Sequence, residues 1–332
     1  MSIRRADEAG IADAARRLAR GEVVAFPTET VYGLGADAAS AQGVASIYRL
    51  KGRPSDHPLI VHVLDAQQAA WWGELGDAGR WLIEAFWPGP LTLVVRRRDY
   101  APSFACAGES TVGLRSPSHP VARALLVAFT RLGGRGVAAP SANRFGRLSP
   151  TRAEHVADDL GDEFGLILDG GPCEVGVEST IVDLSRDAPV LLRPGGIGAQ
   201  RIAEVLGVAP AGRDAQAPRA SGTLAAHYAP RTALELVDSA GLAVRLAQLA
   251  GQGMRVGVWS RERPAPVAGA QQAPDWEPAP ADPAGYSREL YDTLRRLDGL
   301  GLHRLLVERV PQQAAWDAVR DRLARAAASF EE

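Results

Sequence analysis

Lysine is almost missing from this chain of 332 residues. Lys51 is the only one, so 36 of the 37 Lys and Arg residues (37 minus 1) are arginines. A lysine ammonium is a compact point charge and an arginine guanidinium is a planar fork, so the two are not interchangeable. A chain that uses arginine elsewhere and keeps one lysine indicates that position 51 needs a compact, mobile ammonium. The alternative is a solvent-exposed lysine retained by chance.

Cysteine and long apolar runs are also scarce. The two cysteines, Cys106 and Cys173, form no CxxC pair and no metal-type spacing, which predicts buried thiols in a reducing compartment. The N-terminal stretch MSIRRADEAGIADAARRL lacks the apolar core of a secretory signal. No run has the apolar length needed to span a bilayer. We therefore expect a cytoplasmic protein without a membrane partner.

An excess of charge of either sign is absent as well. The formal net charge is −2, with 46% hydrophobic and 23% charged residues, as in an ordinary globular protein. This balance provides no general attraction for nucleic acid, so we expect any contact with RNA to be weak or indirect.

Several nucleotide-binding and catalytic motifs are missing, among them the P-loop, H-E-x-x-H, the G-x-S-x-G elbow and the kinase signatures. Gly33-Leu-Gly35-Ala-Asp-Ala38 fits G-x-G-x-x-A. That fingerprint needs a helix that opens at once and an acid about twenty residues later. Here the later stretch is the basic Lys51-Gly-Arg53, and the helix begins late. These glycines instead let the backbone pass closely by a ligand or a strand.

Periodicity and turn residues predict a mixed α/β fold with two domains. A first domain over residues 1–208 is followed by an Ala-, Pro-, Gly- and Arg-rich linker or lid at 209–231. Alternating strands and helices over 232–332, with a loop at 264–283, predict a small three-layer α/β domain. Within the first domain we predict helices at 11–20, 44–50, 69–86, 121–131, 152–160 and 202–206. We predict strands at 23–26, 59–63, 91–95, 111–115, 166–169, 180–183 and 190–193.

Cations follow several of these elements. Lys51 and Arg53 are two residues apart, so in an extended segment their side chains share a face. Arg115 and Arg193 end strands beside turns. Arginines at strand ends beside glycine turns are typical of anion sites, although each one singly is also explained by a surface ion pair.

Short polar side chains accompany the cations. Ser141 and Asn143 lie in APSANRFG, and Asn143 is the only asparagine of the chain. A turn-forming role is the alternative for this asparagine. His62 lies in an apolar strand-like run, where the alternative is a core histidine with satisfied hydrogen bonds. The stretches 28–30 and 178–180 add hydroxyls and carboxylates suited to a ligand the size of an amino acid.

Taken together, the motifs PTETVYGLG, KGRP with PLIVHV, FWPGPLT, TVGLR, APSAN, ESTIVD and LLRPG resemble the YrdC-like family over about residues 20–198. With the HYAP linker and the α/β tail, the chain is similar to its two-domain members, the L-threonylcarbamoyladenylate synthases. The resemblance implies a twisted mixed-sheet catalytic domain. It also implies a nucleotidyl transfer in which L-threonine, bicarbonate and ATP give threonylcarbamoyl-AMP, pyrophosphate and water.

The family resemblance also implies a set of site residues. Those around the nucleotide phosphates, taken as catalytic, are Lys51, Arg53, Ser141 and Asn143. Those contacting ATP are Arg53, His57, Thr111, Ser141, Ser149, Arg193 and, from the linker, Tyr228 or its neighbour His227. Those lining a threonine pocket are Thr30, His62, Arg115, Ala139 and Ser179. Mg²⁺ is expected to arrive with ATP, without a dedicated protein metal site.

The same resemblance implies a downstream partner, a transferase that passes the threonylcarbamoyl group to tRNA. Two features depart from the family pattern. His57 replaces an asparagine, and residues 221–226 lack the basic and aromatic residues common before HYAP. Two alternatives stay open. One is an RNA-binding module of the same fold. The other is a carbamoyltransferase of the hydrogenase-maturation type, although that class needs zinc-finger cysteines.

Overall fold

A computed structural model of the protein describes residues 2–266 and 273–330. The described residues divide into two compact units. The first contains residues 2–145 and 149–223, and the second contains 146–148 and 224–330. The predicted boundaries at residues 208 and 231 stay predictions.

The first unit is built on one large mixed sheet. Its strands are β1 Ser2–Arg5, β2 Val24–Phe26, β3 Gly33–Asp37, β4 Ile60–His62, β5 Leu91–Arg96, β6 Thr111–Arg115, β7 Val137–Ala138, β8 Leu166–Asp169, β9 Thr180–Asp183, β10 Val190–Arg193 and β11 Ala211–Gly212. Their order across the sheet is β1-β8-β2-β3-β7-β4-β6-β5-β9-β10-β11. The sheet contains parallel pairs such as β4 with β6 and antiparallel pairs such as β5 with β6. The predicted mixed fold is confirmed.

Helices cover both faces of this sheet. They are α1 Glu8–Ala19, α2 Ala41–Lys51, α3 Ala66–Trp72, α4 Gly76–Phe86, α5 Pro120–Arg131, α6 Ala153–Leu160 and α7 Ala199–Leu206. Residues of α1 and α5 share one apolar cluster with Val24 and Phe26. Residues of the other five helices share a second cluster with Ala25. Successive residues of a strand point to opposite faces, so the short β2 contributes to two cores.

The predicted helix over 69–86 is wrong as a single element, because α3 ends at Trp72 and α4 begins at Gly76. The chain between them approaches the sheet: the Glu74 N–H donates to the Arg96 carbonyl at 2.8 Å. A Cβ on Gly73 would lie 2.4 Å from Val95 Cγ2. This close approach needs glycine and interrupts the helix, although the apolar periodicity continues across it.

Two further differences from the sequence predictions concern β3 and α6. The glycine-rich stretch forms strand β3, because a Cβ on Gly35 would lie 2.6 Å from Phe26 Cε1 and 2.8 Å from Val137 Cγ1. Of the two roles considered for these glycines, passage past a strand is confirmed. Helix α6 begins at Ala153, one residue after the predicted start, and no side chain caps it at Arg152.

The second unit is a three-layer α/β structure, as predicted. Its elements are β12 Leu234–Val237, α8 Ser239–Gly251, β13 Val256–Ser260, β14 Asp275–Pro278, α9 Pro283–Asp298, β15 Arg304–Glu308 and α10 Asp317–Ala327. All strand pairs are parallel, in the order β12-β15-β13-β14. Leucines of α8 pack on one face with Val258, and Tyr286 of α9 packs on Trp259 of the other face, with ring centroids 4.2 Å apart.

The loop predicted over 264–283 is only partly present. Strand β14 lies inside that range and pairs with β13, from Gly257 with Asp275 to Ser260 with Pro278. The short, proline-ended stretch carries little strand signal of its own, so its pairing with the neighbouring strand decides its structure. Part of the predicted loop, residues 267–272, lies outside the described residues.

Candidate active site

Two parallel strands end with candidate site residues at the same level of the sheet. His62 ends β4 and Arg115 ends β6, and the two are register partners. Thr92 of β5 is the antiparallel partner of Arg115, and its Oγ1 lies 2.7 Å from Ser179 Oγ. Three residues that were predicted to line the threonine pocket, namely His62, Arg115 and Ser179, therefore lie close together. Thr92 connects Arg115 to Ser179.

Arg115 contacts the turn that follows β2. Its NH1 group donates to Thr30 Oγ1 at 2.8 Å, and its NH2 group lies 2.8 Å from Glu29 Oε1. The Arg115 and Glu29 side chains are only 5% and 4% exposed. Burial raises the pKa of Glu29, but the charge of Arg115, together with the donor groups of Arg115 and of the nearby backbone, holds that pKa below 4.5. The site thus contains a buried ion pair with both groups charged.

His62 is a neutral group beside this pair. Burial, and next the charge of Arg115, lower its pKa from 6.5 to about 3. Its ring meets Phe26 edge-on. Its Nδ1 atom is buried and has no hydrogen-bond partner within the described chain. The interpretation of His62 as a core histidine with satisfied hydrogen bonds is therefore wrong. Nearby, the Ala139 N–H donates to the Ile60 carbonyl at 3.0 Å.

Lys51 is held between a helix end and a loop. It is the last residue of α2, which Gly52 closes in the left-handed conformation at φ 61°. Its ammonium donates to the carbonyls of Ser141 and Asn143 at 2.6 Å each. Lys51 is 2% exposed, and burial lowers its pKa well below 10.5. The interpretation of Lys51 as a solvent-exposed residue is therefore wrong, and its ammonium anchors the APSAN loop.

Arg53 faces a different segment from Lys51, since the helix end separates them, so the extended face proposed for the pair is wrong. Its guanidinium donates to the carbonyls of His57 and Pro58 at 3.3 and 3.0 Å. It also lies 5.5 Å from the ring centre of Phe145, and the His57 ring meets Phe145 at the same distance. Arg53 and His57 therefore form one polar cluster around Phe145.

The APSAN loop is packed against β3. Ser141 forms a backbone bridge with Gly33, and Asn143 is fully buried, with its amide donating to the Arg144 carbonyl at 2.7 Å. Further along, the Ser149 hydroxyl donates to the Glu178 carboxylate. Asn143 therefore bonds within its own loop through its side chain and accepts from Lys51 through its backbone carbonyl.

Arg193, the last residue of β10, connects Ser179, next to β9, with Ser221 of the segment that follows residue 216. Its Nε and NH2 groups donate to the Ser179 carbonyl at 3.1 and 2.9 Å, and its NH1 group donates to the Ser221 carbonyl at 2.9 Å. Next to it, a pocket that is open to solvent includes Thr92 and Thr111 among its lining residues. Arg219, Ala220 and Ser221 form one of its walls.

His227 and Tyr228 belong to the second unit. Tyr228 adopts φ 62° and is buried, with its ring 5.9 Å from that of Tyr291 and 5.2 Å from the guanidinium of Arg322. The prediction that His227 or Tyr228 reaches the nucleotide stays a prediction.

Three polar residues of the site carried no individual role in the sequence analysis. Glu29 pairs with Arg115, Glu178 accepts from Ser149, and Thr92 connects Arg115 to Ser179. The sequence indicated Glu29 and Glu178 only indirectly, because they lie in the hydroxyl-rich stretches PTET and EST. Thr92 lies in an apolar strand, and only the sheet register reveals its position.

Other expectations concern cysteine, metal and membrane. Cys106 and Cys173 are free and buried, as predicted. Across residues 2–266 and 273–330, no three His, Cys, Asp or Glu side chains lie together as a metal site would require. The helices of these residues are all too short or too polar to cross a bilayer.

Comparison with known proteins places these features in a family. Residues 16–195 match the model of the Sua5, YciO and YrdC proteins, described as "Telomere recombination". Residues 197–328 match "Threonylcarbamoyl-AMP synthase, C-terminal domain". The chain therefore belongs to the Sua5/YrdC family and carries the C-terminal domain of its two-domain members.

Individual relatives match over nearly the full length. The threonylcarbamoyl-AMP synthase of Bacillus subtilis is 41% identical, covering 96% of this chain and 92% of that protein. The protein of the same name from Pyrococcus abyssi is 37% identical, covering 97% and 95%. The crystal structure of P. abyssi Sua5 complexed with L-threonine matches with a TM-score of 0.87 and 35% identity, over 97% and 95% of the two chains.

Proposed function

We propose that this protein is an L-threonylcarbamoyladenylate synthase, an ATP-dependent nucleotidyltransferase. The observation that carries the proposal is the buried Arg115, which ends β6 beside the Thr30 hydroxyl and the neutral His62. A guanidinium in this setting suits the carboxylate of an amino acid, because it can donate two parallel hydrogen bonds. The relatives named above support this assignment over an RNA-binding module and over a carbamoyltransferase.

The phosphates of ATP would bind to the cations of the first unit. Lys51, Arg53 and Arg193 are 2%, 7% and 2% exposed, and partly desolvated cations attract phosphate more strongly than exposed ones. Ser141 and Asn143 lie against Lys51. The further nucleotide contacts that we propose are His57, Thr111 and Ser149. Mg²⁺ is proposed to enter as part of the ATP substrate.

The reaction has two steps. The amino group of L-threonine first loses its extra proton to solvent, and the neutral nitrogen then adds to bicarbonate and releases water, which gives the carbamate N-carboxythreonine. A carbamate oxygen then forms a bond to the α-phosphorus of ATP, while the bond from that phosphorus to the leaving oxygen breaks and pyrophosphate departs. This transfer needs aligned reactants and stabilised negative charge more than a covalent nucleophile. Buried cations, hydroxyls and backbone N–H groups supply that stabilisation.

The product is an activated acyl adenylate, so the chemistry requires an acceptor. We propose that a separate transferase passes the threonylcarbamoyl group to tRNA. The formal net charge of −2 gives no reason for the synthase itself to bind tRNA strongly.

The test is pyrophosphate release from ATP by the purified protein, with L-threonine and bicarbonate added together and omitted one at a time. We expect release that needs both, together with threonylcarbamoyl-AMP as a product in mass spectrometry. Release that is indifferent to threonine would contradict the proposal. Salt-sensitive tRNA binding without turnover would favour the RNA-binding module instead.

A further inference from the structure

Glu29 is a buried carboxylate at the candidate threonine pocket with no role assigned so far. It belongs to the residue just before Thr30 in the chain, and Glu29 as a whole is 3% exposed. Its Oε1 atom is 2.8 Å from the NH2 group of Arg115. Arg115 and nearby backbone N–H groups keep the pKa of Glu29 low despite its burial, so the carboxylate is charged.

The Glu29–Arg115 pair leaves hydrogen-bonding capacity unused on both sides. Within the described chain, neither carboxylate oxygen of Glu29 accepts a hydrogen bond of ordinary geometry, and Arg115 Nε donates none. His62 Nδ1 beside them is also without a partner. Buried polar atoms are nearly always hydrogen-bonded, and each exception costs free energy. Several such atoms at one place indicate a ligand that completes their hydrogen bonds.

These unused groups are acceptors on Glu29 and donors on Arg115, side by side. An α-amino acid carries the complementary pair, an N–H donor and a carboxylate acceptor on adjacent groups. We infer that Glu29 contacts the substrate directly, accepting an N–H of its amino group while Arg115 binds its carboxylate. This inference rests on the proposed function, since it takes the ligand to be an amino acid.

The contact suits the proposed chemistry at each stage. A neutral amine has two N–H bonds and a lone pair, so donating one N–H to Glu29 directs the lone pair away from the carboxylate and toward bicarbonate. The carbamate formed from it keeps one N–H, which can continue to donate to Glu29. A neutral His62 beside the amino group adds no positive charge that would repel an ammonium form.

The test compares two ligands by calorimetry: L-threonine, and 3-hydroxybutanoate, which is threonine without its amino group. Glu29→Gln keeps the size of the side chain but removes its charge. We expect Glu29→Gln to weaken L-threonine binding about tenfold to a hundredfold, as for lost hydrogen bonds to a charged group, and to change 3-hydroxybutanoate binding less than about twofold. Glu29→Asp withdraws the oxygens by one methylene and should weaken L-threonine alone by an intermediate factor.

A matched control is Glu308→Gln in the second unit, which also neutralises a buried glutamate paired with an arginine. It should bind both ligands as the wild type does. Equal weakening of both ligands in the Glu29 variants would overturn the inference, because Glu29 would then only hold Arg115 in place. Unchanged L-threonine binding would overturn it too. A wild-type protein that fails to bind L-threonine would instead overturn the proposed function and this inference together.

Discussion

The buried lysine of the first unit and two buried charges of the second, Glu308 and Arg322, are compensated differently. In the first, the Lys51 ammonium is held by two backbone carbonyls. In the second, Glu308 accepts hydrogen bonds from the backbone and guanidinium of Arg261, and Arg322 pairs with Asp321. Carbonyl dipoles satisfy the donors of a cation but leave its net charge, whereas an opposite charge cancels it. Lys51 therefore has no paired carboxylate within the described residues, and a bound anion would favour its charged form.

This difference separates a binding role from a structural one. A buried ion pair with both partners present contributes little net stability, but removal of one partner leaves an uncompensated charge. The pairs of the second unit should therefore matter for stability. Lys51, which anchors the APSAN loop and is proposed to bind phosphate, should matter more for turnover than those pairs do. The following variants test that distinction.

The largest effect is expected from Lys51→Ala. Removal of the ammonium takes away a donor that we propose for the phosphates and also removes the two hydrogen bonds to the APSAN loop. We expect kcat for pyrophosphate release to fall about a hundredfold to a thousandfold, as for other preorganised donors. Lys51→Arg should not restore the rate, because a planar fork cannot occupy the space between the two carbonyls. Steady-state kinetics at saturating substrates would measure both variants.

The matched variant in the second unit is Glu308→Ala. It also removes a buried charge, but one that Arg261 already compensates. We expect the free energy of unfolding to fall by about 1–3 kcal/mol, with kcat unchanged. A loss of kcat comparable to that of Lys51→Ala would contradict the distinction between the two units.

His62 provides a smaller, pH-dependent effect in the first unit. Its pKa is about 3 in the folded protein and 6.5 ordinarily, so between these values the unfolded chain binds a proton that the folded chain does not. Stability should therefore decrease as the pH falls from 6.5 toward 3, by about 1.4 kcal/mol per pH unit from this residue. Urea unfolding at pH 6.5 and pH 5 should show a shallower decrease for His62→Asn. Equal slopes for wild type and variant would contradict the assigned pKa.

The sequence revealed the fold where local signals agree with tertiary packing. Residues 111–115, 166–169 and 190–193 were predicted with the observed bounds, because each combines apolar residues with flanking turn residues. The break at Gly73 was missed, because its cause is Val95 on another strand. Strand β3 was missed because its glycines accommodate Phe26 and Val137.

The candidate site was foreseeable as a set of residues but not as an arrangement. The single lysine and single asparagine indicated positions 51 and 143, and the structure joins them through a 2.6 Å hydrogen bond. The pairing of Arg115 with Glu29 was not foreseeable, since the two are far apart in sequence and meet only through the sheet. Thr92 was hidden for the same reason. Local pattern identifies residue types, and strand register decides which of them meet.

The smallest effect is expected from an exposed charge cluster at the pocket wall of the first unit. Arg219 donates to Glu109 at 2.7 Å and to Asp56 at 3.3 Å, with its side chain 47% exposed. We expect these contacts to hold the 217–221 segment over the pocket. Because exposed ion pairs are weak, Arg219→Ala should raise KM for ATP only about twofold to fivefold. The difference from wild type should vanish in about 0.5 M salt, where exposed charges are screened. A difference that persists in salt would mean that Arg219 touches the nucleotide itself, as Lys51 is proposed to do.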